Sequence, residues 1–266
     1  MKRDEDQEQT LIFVDMLGFA ALTEKHPYRV EDEPPTDDGY EVSRTARTQT
    51  QFNRFDRVLD SCVQRQRLYG GITAMLFPDC AFLNPGGSLR AALIATDLMR
   101  EFIKAGVPVR MGIGKGTFYP FGYSTDTGAD STLVSKSRFL GTAVVRAHAA
   151  EQCGGKGMRI FVHPKVDDLD FSHSDFKVLK VPKAFKAATW ELDYLHGPRP
   201  AQEKATVDAA DRDLFSRVAA MKDPKTKLAI RKQYIDTLKA LDRMRAAHGQ
   251  RPVYLRGLKC GIVVDN

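Results

Sequence analysis

Along the chain, apolar positions fall into short runs and longer periodic stretches that alternate in a definite order. Residues 11–15 (LIFVD) form an apolar run closed by an acid, followed by a glycine turn and a helix-compatible segment, FAALTEK, which predicts strand, tight turn, helix. Residues 26–45 are rich in Pro, Asp and Glu and lack apolar periodicity, so a mobile acidic loop is expected there. From about Thr48 to Leu68, Phe52, Phe55, Val58, Leu59, Cys62 and Val63 recur at helical spacing. ITAMLF and CAFL follow, separated only by Pro78 and Asp79, which is hairpin spacing.

Ser88 is placed to cap a helix running to about Ala105, after which VPVRMGIG alternates as a strand and passes into a glycine-bearing loop. Gly141 to Gln152 reads as a helix, RIFV as a strand, and DFKVLKV with ATWELDYL as a terminal hairpin. The order β-α-α-β-β-α-β-α-β-β-β predicts an α+β sandwich: a mostly antiparallel central sheet with helices on one face, related to the ferredoxin-like split βαβ. This unit closes at about residue 197. Residues 198–266 read as a helical C-terminal extension, with apolar stripes at Leu214, Val218 and Met221, then Tyr234, Ile235, Leu238, Leu241 and Met244.

Composition narrows the classes. The chain has 266 residues, 42% hydrophobic and 28% charged, an ordinary globular balance with enough length for a substantial core. No apolar run approaches a membrane span and the polar start is unlike a secretory signal, so a cytoplasmic location without membrane contact is expected. Cys62, Cys80, Cys153 and Cys260 form no CxxC pair, which argues for reduced thiols rather than a zinc knuckle or disulfide framework. The formal charge of +6 is concentrated late, in KTKLAIRKQ and around Arg243 to Arg256. Without any nucleic-acid-binding signature it reads as a solvated helical face, and no nucleic-acid partner is expected.

The chemistry sits in two acids. Asp15 ends one strand and Asp79 tips a hairpin whose strands would neighbour it, so the two carboxylates can converge near the sheet edge. Each alone would be an ordinary cap or turn residue. Together they form the donor set for a pair of Mg²⁺ or Mn²⁺ ions, which lower the pKa of an attacking hydroxyl and stabilise charge on a transferring phosphorus. The turn MLGFAAL opens a helix beside Asp15, and the free N–H groups at Leu17, Gly18 and Phe19 offer a triphosphate cradle.

FVDMLGFAAL and MLFPDCAFL resemble the two metal motifs of class III nucleotidyl cyclases, VPVRMGIGKGTF resembles that family's following strand, and FLGTAVVRAHAAEQCGGKGMRIFV its helix–strand segment. The resemblance covers about residues 11–195. It implies a head-to-tail homodimer with two composite sites, Asp15 and Asp79 as ligands of both metals, the Met16 carbonyl as an addition, and Lys183 as a triphosphate contact. Where adenine- or guanine-using relatives carry their purine-selecting pairs, this chain has Met75 and Arg138.

The forked donor of Arg138 suits the acceptor edge of a pyrimidine. Together with SRFLGTAVVRAHAAE and PDC, this resembles the pyrimidine cyclases of bacterial Pycsar anti-phage systems, which implies cyclic UMP or cyclic CMP as product, UTP favoured over CTP, and a neighbouring effector that senses it. The family's usual Asn and Arg are replaced by Val145 and Ala149. Arg146, about 100° around the helix, and Lys115 are the candidate transition-state cations. The alternatives are another two-metal palm enzyme, disfavoured because GG[DE]EF is absent, a catalytically inactive cyclase-like domain that binds a nucleotide or a partner, and nucleic-acid binding by the basic tail, which predicts salt-sensitive duplex binding.

Overall fold

The computed structural model describes residues 8–25, 46–67, 69–126, 133–169, 177–183, 185–195, 206, 208–209 and 228–252. The expected acidic loop 26–45 and the Leu214–Met221 stripe lie outside them. The elements are β1 (Gln9–Met16), α1 (Phe19–Lys25), α2 (Ala46–Arg67), β2 (Thr73–Leu76), β3 (Cys80–Asn84), α3 (Ser88–Ala105), β4 (Val109–Gly116), β5 (Tyr119–Asp126), β6 (Leu133–Leu140), α4 (Thr142–Glu151), β7 (Ile160–Val162), β8 (Lys177–Lys180), β9 (Trp190–Asp193) and α5 (Leu228–Ala247). The α+β architecture follows the predicted order with one addition.

Strands β2-β3-β1-β4-β7-β9-β8 form the main sheet. All its pairings are antiparallel except β4 with β7. Alternation along each strand divides the core by face. Ile12, Val14 and Met16 of β1 with Met111 and Ile113 of β4 point to one face and bury against Phe55 and Leu59 of α2 and Leu98, Met99 and Phe102 of α3. Leu11 and Phe13 point the other way, against Ala143 and Ala147 of α4. Helices therefore cover both faces, not one as the pattern suggested.

The reason is written in β4. Gly112 and Gly114 lie beneath α4, and a Cβ on Gly114 would stand 2.3 Å from the Ala147 nitrogen, one on Gly112 2.0 Å from the Ala147 carbonyl oxygen. Only glycine lets helix backbone rest directly on strand backbone, and the alanines facing it complete the close approach. The added elements are β5 and β6, an antiparallel pair in register from Tyr119↔Leu140 to Asp126↔Leu133, where a glycine-bearing loop was expected.

A second correction concerns Ser88. Gly87 occupies the N-cap of α3 with no side-chain cap hydrogen bond. The Ser88 hydroxyl instead donates to Asp168 Oδ1 at 2.7 Å and lies 2.7 Å from Thr10 Oγ1. Helix α5 matches the second predicted stripe: Tyr234, Leu238, Leu241 and Met244 join the main core. Its Gln233 and Thr237 side chains accept the Gly157 and Met158 N–H groups at 2.7 and 2.8 Å. Cys62, Cys80 and Cys153 are free thiols. Among the described residues no helix is long and apolar enough to cross a membrane.

Candidate active site

β1 pairs with β3 in a register that sets Asp15 opposite Cys80, and with β4 so that Asp15 faces Arg110 on its other side. The β2–β3 hairpin is closed by Phe77 N–H donating to the Cys80 carbonyl at 2.9 Å, which leaves Pro78 and Asp79 as the tip. That tip is tied to β1, since the Met16 N–H donates to the Asp79 carbonyl at 2.8 Å. Two acids sixty-four residues apart are thus brought together at one end of the sheet by strand pairing and a single backbone bond.

A third acid lies beneath them. Glu151, at the last turn of α4, is fully buried and accepts a charge-assisted hydrogen bond from Arg110 on Oε1, while its Oε2 has no hydrogen-bond partner. Arg110 also donates from Nη1 to the Gly155 carbonyl at 2.9 Å. The negative charge of the cluster registers on Asp15, whose pKa is pushed up to about 7, by burial first, then by Glu151, with Arg110 opposing and Asp79 adding. The neighbouring Cys80 thiol is pushed up to about 11 by burial and then by Asp79, Asp15 and Glu151. Anions gathered with too little positive charge favour a cation among them.

The chemistry of the donor set fits Mg²⁺ or Mn²⁺. Such ions take one or two carboxylates, keep several waters and complete their shell with substrate phosphates. Among the described residues no group of three His, Cys, Asp or Glu side chains is arranged to hold a metal on its own.

The remaining candidates are distributed unevenly. The Leu17 N–H is already donated to the Pro108 carbonyl at 2.9 Å, which reduces the expected cradle to Gly18, held at φ 78°, and Phe19, the first residue of α1. Met75 stands opposite Phe82, itself opposite Phe13, and packs at the margin of the α4-side core. Arg138 lies on β6 opposite Phe121; its side chain is outside the described residues. Lys183 sits exposed after β8, the far edge strand four positions from β1, or about 19 Å at ~4.8 Å per strand.

Arg146 donates from Nη1 to the Lys115 carbonyl at 2.8 Å. That is five residues, about 17 Å, along β4 from Arg110, so within one protomer it does not join the carboxylates. Lys115, the other candidate cation, is held by Asp168 at 3.2 Å and by Asp167 and Glu8 at 3.5 Å each.

Sequence reasoning missed two features. One is the Arg110–Glu151 pair, formed across forty-one residues. The other is an aromatic cluster on the same face as Asp15: Phe13 and Phe82 with ring centres 4.6 Å apart, Phe82 and Phe139 5.0 Å, Phe77 and Phe139 6.0 Å. Alternation of Phe13 with Asp15 and of Phe82 with Cys80 was the available signal.

No family model and no curated protein matches this chain. Among solved structures, the chain is similar to the guanylyl cyclase Cya2, at 14% identity over 73% of this chain and 95% of that one, with a TM-score of 0.46. It is also similar to the GTP-bound guanylate cyclase domain of RhGC from Catenaria anguillulae (14%, 70% and 94%, TM-score 0.47) and to the adenylyl cyclase CyaB from P. aeruginosa (18%, 71% and 94%, TM-score 0.44). Likeness at this level carries no functional weight by itself.

Proposed function

We propose that the chain is a class III nucleotidyl cyclase that converts a pyrimidine nucleoside triphosphate, UTP before CTP, into its 3′,5′-cyclic monophosphate and pyrophosphate. The observation that carries the reading is the meeting of Asp15 and Asp79 at paired strand ends, where burial first and then the charge of Glu151 push Asp15 up to about 7. In this reading Asp15, Asp79 and the Met16 carbonyl would hold two divalent ions, which would supply Lewis acidity to the attacking hydroxyl and the leaving phosphate.

The chain's own residues do the rest. Asp15 and Asp79 would act by holding those ions, since bare carboxylates would repel the phosphates. The O3′–P bond forms as the bond to the β-phosphate oxygen breaks, with the hydroxyl proton passing to solvent. Gly18 and Phe19 present backbone N–H groups to the leaving pyrophosphate. Arg138 and Met75 select the base, and Arg146 and Lys183 belong to the site of a homodimer partner, consistent with their distance from Asp15 in one protomer. Residues 1–197 form the catalytic unit and 198–266 its extension, in a cytoplasmic protein whose product acts on a cyclic-nucleotide-sensing effector in anti-phage defence.

A second reading, a catalytically inactive nucleotide- or partner-binding domain, is favoured by two observations: Val145 is 68% exposed where relatives carry a polar side chain, and Arg146 is already bonded to Lys115. Incubation of the purified chain with each of the four nucleoside triphosphates and Mn²⁺, followed by chromatography of the products, separates the two. Cyclic UMP or cyclic CMP is expected; a cyclic purine product refutes the base assignment, and no product from any nucleotide refutes the enzyme.

A further inference from the structure

Away from the carboxylates, α5 and the segment entering β7 enclose a cavity of about 280 Å³, lined by Lys156, Arg159, Phe185, Asp236, Lys239 and Arg243 among others. We infer that this cavity is a binding site for a phosphate monoester of a small molecule, independent of the proposed catalytic site.

The charge count points to an anion. Lys156 and Arg159 from the segment entering β7 and Lys239 and Arg243 from α5 bring four positive charges from two segments of the chain. Glu191 neutralises one of them, accepting Arg159 Nε and Nη2 at 2.7 and 2.6 Å as well as a contact from Arg243. Asp236 pairs with Lys239 at 3.2 Å. Four cations against two carboxylates leave a surplus of two, the charge of a phosphate dianion.

The site is also built rather than merely basic. Arg159 is 6% exposed and is held in place by its double bond to Glu191, with its guanidinium 4.6 Å from the Phe161 ring centre and 5.2 Å from that of Phe185. A fork fixed in this way loses little freedom on meeting an oxyanion. Its Nη1 donates to no residue among those described, and Lys156 has no ion-pair partner there.

The cavity is roomier than a lone phosphate requires. The half-buried Phe185 on its wall offers apolar contact to whatever the phosphate esterifies. An isolated surface charge stripe would have neither the immobilised arginine nor the ring.

The test uses the full chain in EDTA, which removes divalent ions from the Asp15–Asp79 site, with phenyl phosphate and inorganic phosphate as probes in calorimetric titration. Phenyl phosphate is expected to bind saturably and more tightly than inorganic phosphate. The Asp15→Asn variant should match the wild type, and Lys156→Ala/Lys239→Ala should bind at least about tenfold more weakly. Both lysines are exposed, so the variant keeps its fold, and Lys156→Arg/Lys239→Arg should retain binding. Absence of saturable binding, unchanged affinity in the double alanine variant, or loss of binding in Asp15→Asn would each overturn the assignment.

Discussion

The two ends of the β1–β4 strand pair carry the same ionic stoichiometry with opposite outcomes. At one end Arg110 stands among Asp15, Asp79 and Glu151; at the other Lys115 stands among Glu8, Asp167 and Asp168. At the Lys115 end the carboxylates are 49% to 74% exposed. Burial alone would raise Asp168, but hydrogen bonds from Ser88 and Lys115 and the charge of Lys115 outweigh it and hold the carboxyl below its ordinary range. At the Arg110 end Glu151 is fully buried and Asp15 is carried up to about 7. The charge count is the same at the two ends, and what differs between them is removal from water.

The comparison breaks most sharply if the acids are neutralised. Asp15→Asn and Asp79→Asn should each lower turnover by at least about a hundredfold, read by product chromatography, while circular dichroism stays unchanged. Lys115→Ala, at the closed end, should leave turnover within a few fold; a loss as large as that of Asp15→Asn would make Lys115 the transition-state cation and erase the distinction between the ends.

The next effect is on packing. Gly114→Ala should destabilise the chain by roughly 1–3 kcal/mol in urea unfolding, because its Cβ meets α4 backbone that cannot move as a flexible side chain would. Retained stability would show that α4 is not seated on β4.

The pH profile sharpens the contrast further. Asp15 holds its proton more tightly folded than at its ordinary 3.8, so its contribution to stability is complete below about pH 4 and is lost as pH rises to about 7. Asp168 runs the other way: its contribution is present above about pH 4 and is lost as pH falls through its lowered value. In EDTA, urea midpoints between pH 5 and 8 should therefore decline more in wild type than in Asp15→Asn. Ser88→Ala gives the smallest effect, about 1 kcal/mol, from loss of its bonds to Asp168 and Thr10.

The sequence made the acids visible because each sits in a local pattern, an apolar run that ends in a carboxylate and a two-residue hairpin tip. Long periodic helices such as α2, α3 and α5 were equally legible. What escaped depends on partners distant in the chain. The alternating glycines of VPVRMGIG read as part of a strand, yet why those positions are glycine lies in the α4 backbone some thirty residues on. In β5, Pro120 and Gly122 mask a strand whose pairing comes from β6. Ser88 has the side chain of a cap, but Thr10 and Asp168 draw it elsewhere. Arg146 was chosen by its place on a helix, whereas the glycine-floored packing of α4 sets its direction toward Lys115.

Electron paramagnetic resonance of Mn²⁺ titrated into the chain tests the central claim most directly, because bound ions lose the six-line signal of the free ion. In the presence of UTP, two Mn²⁺ should be taken up per protomer by the wild type, with uptake falling to that of UTP alone in Asp15→Asn and in Asp79→Asn. Equal uptake by wild type and both variants would contradict the claim that these two carboxylates meet to hold the metal.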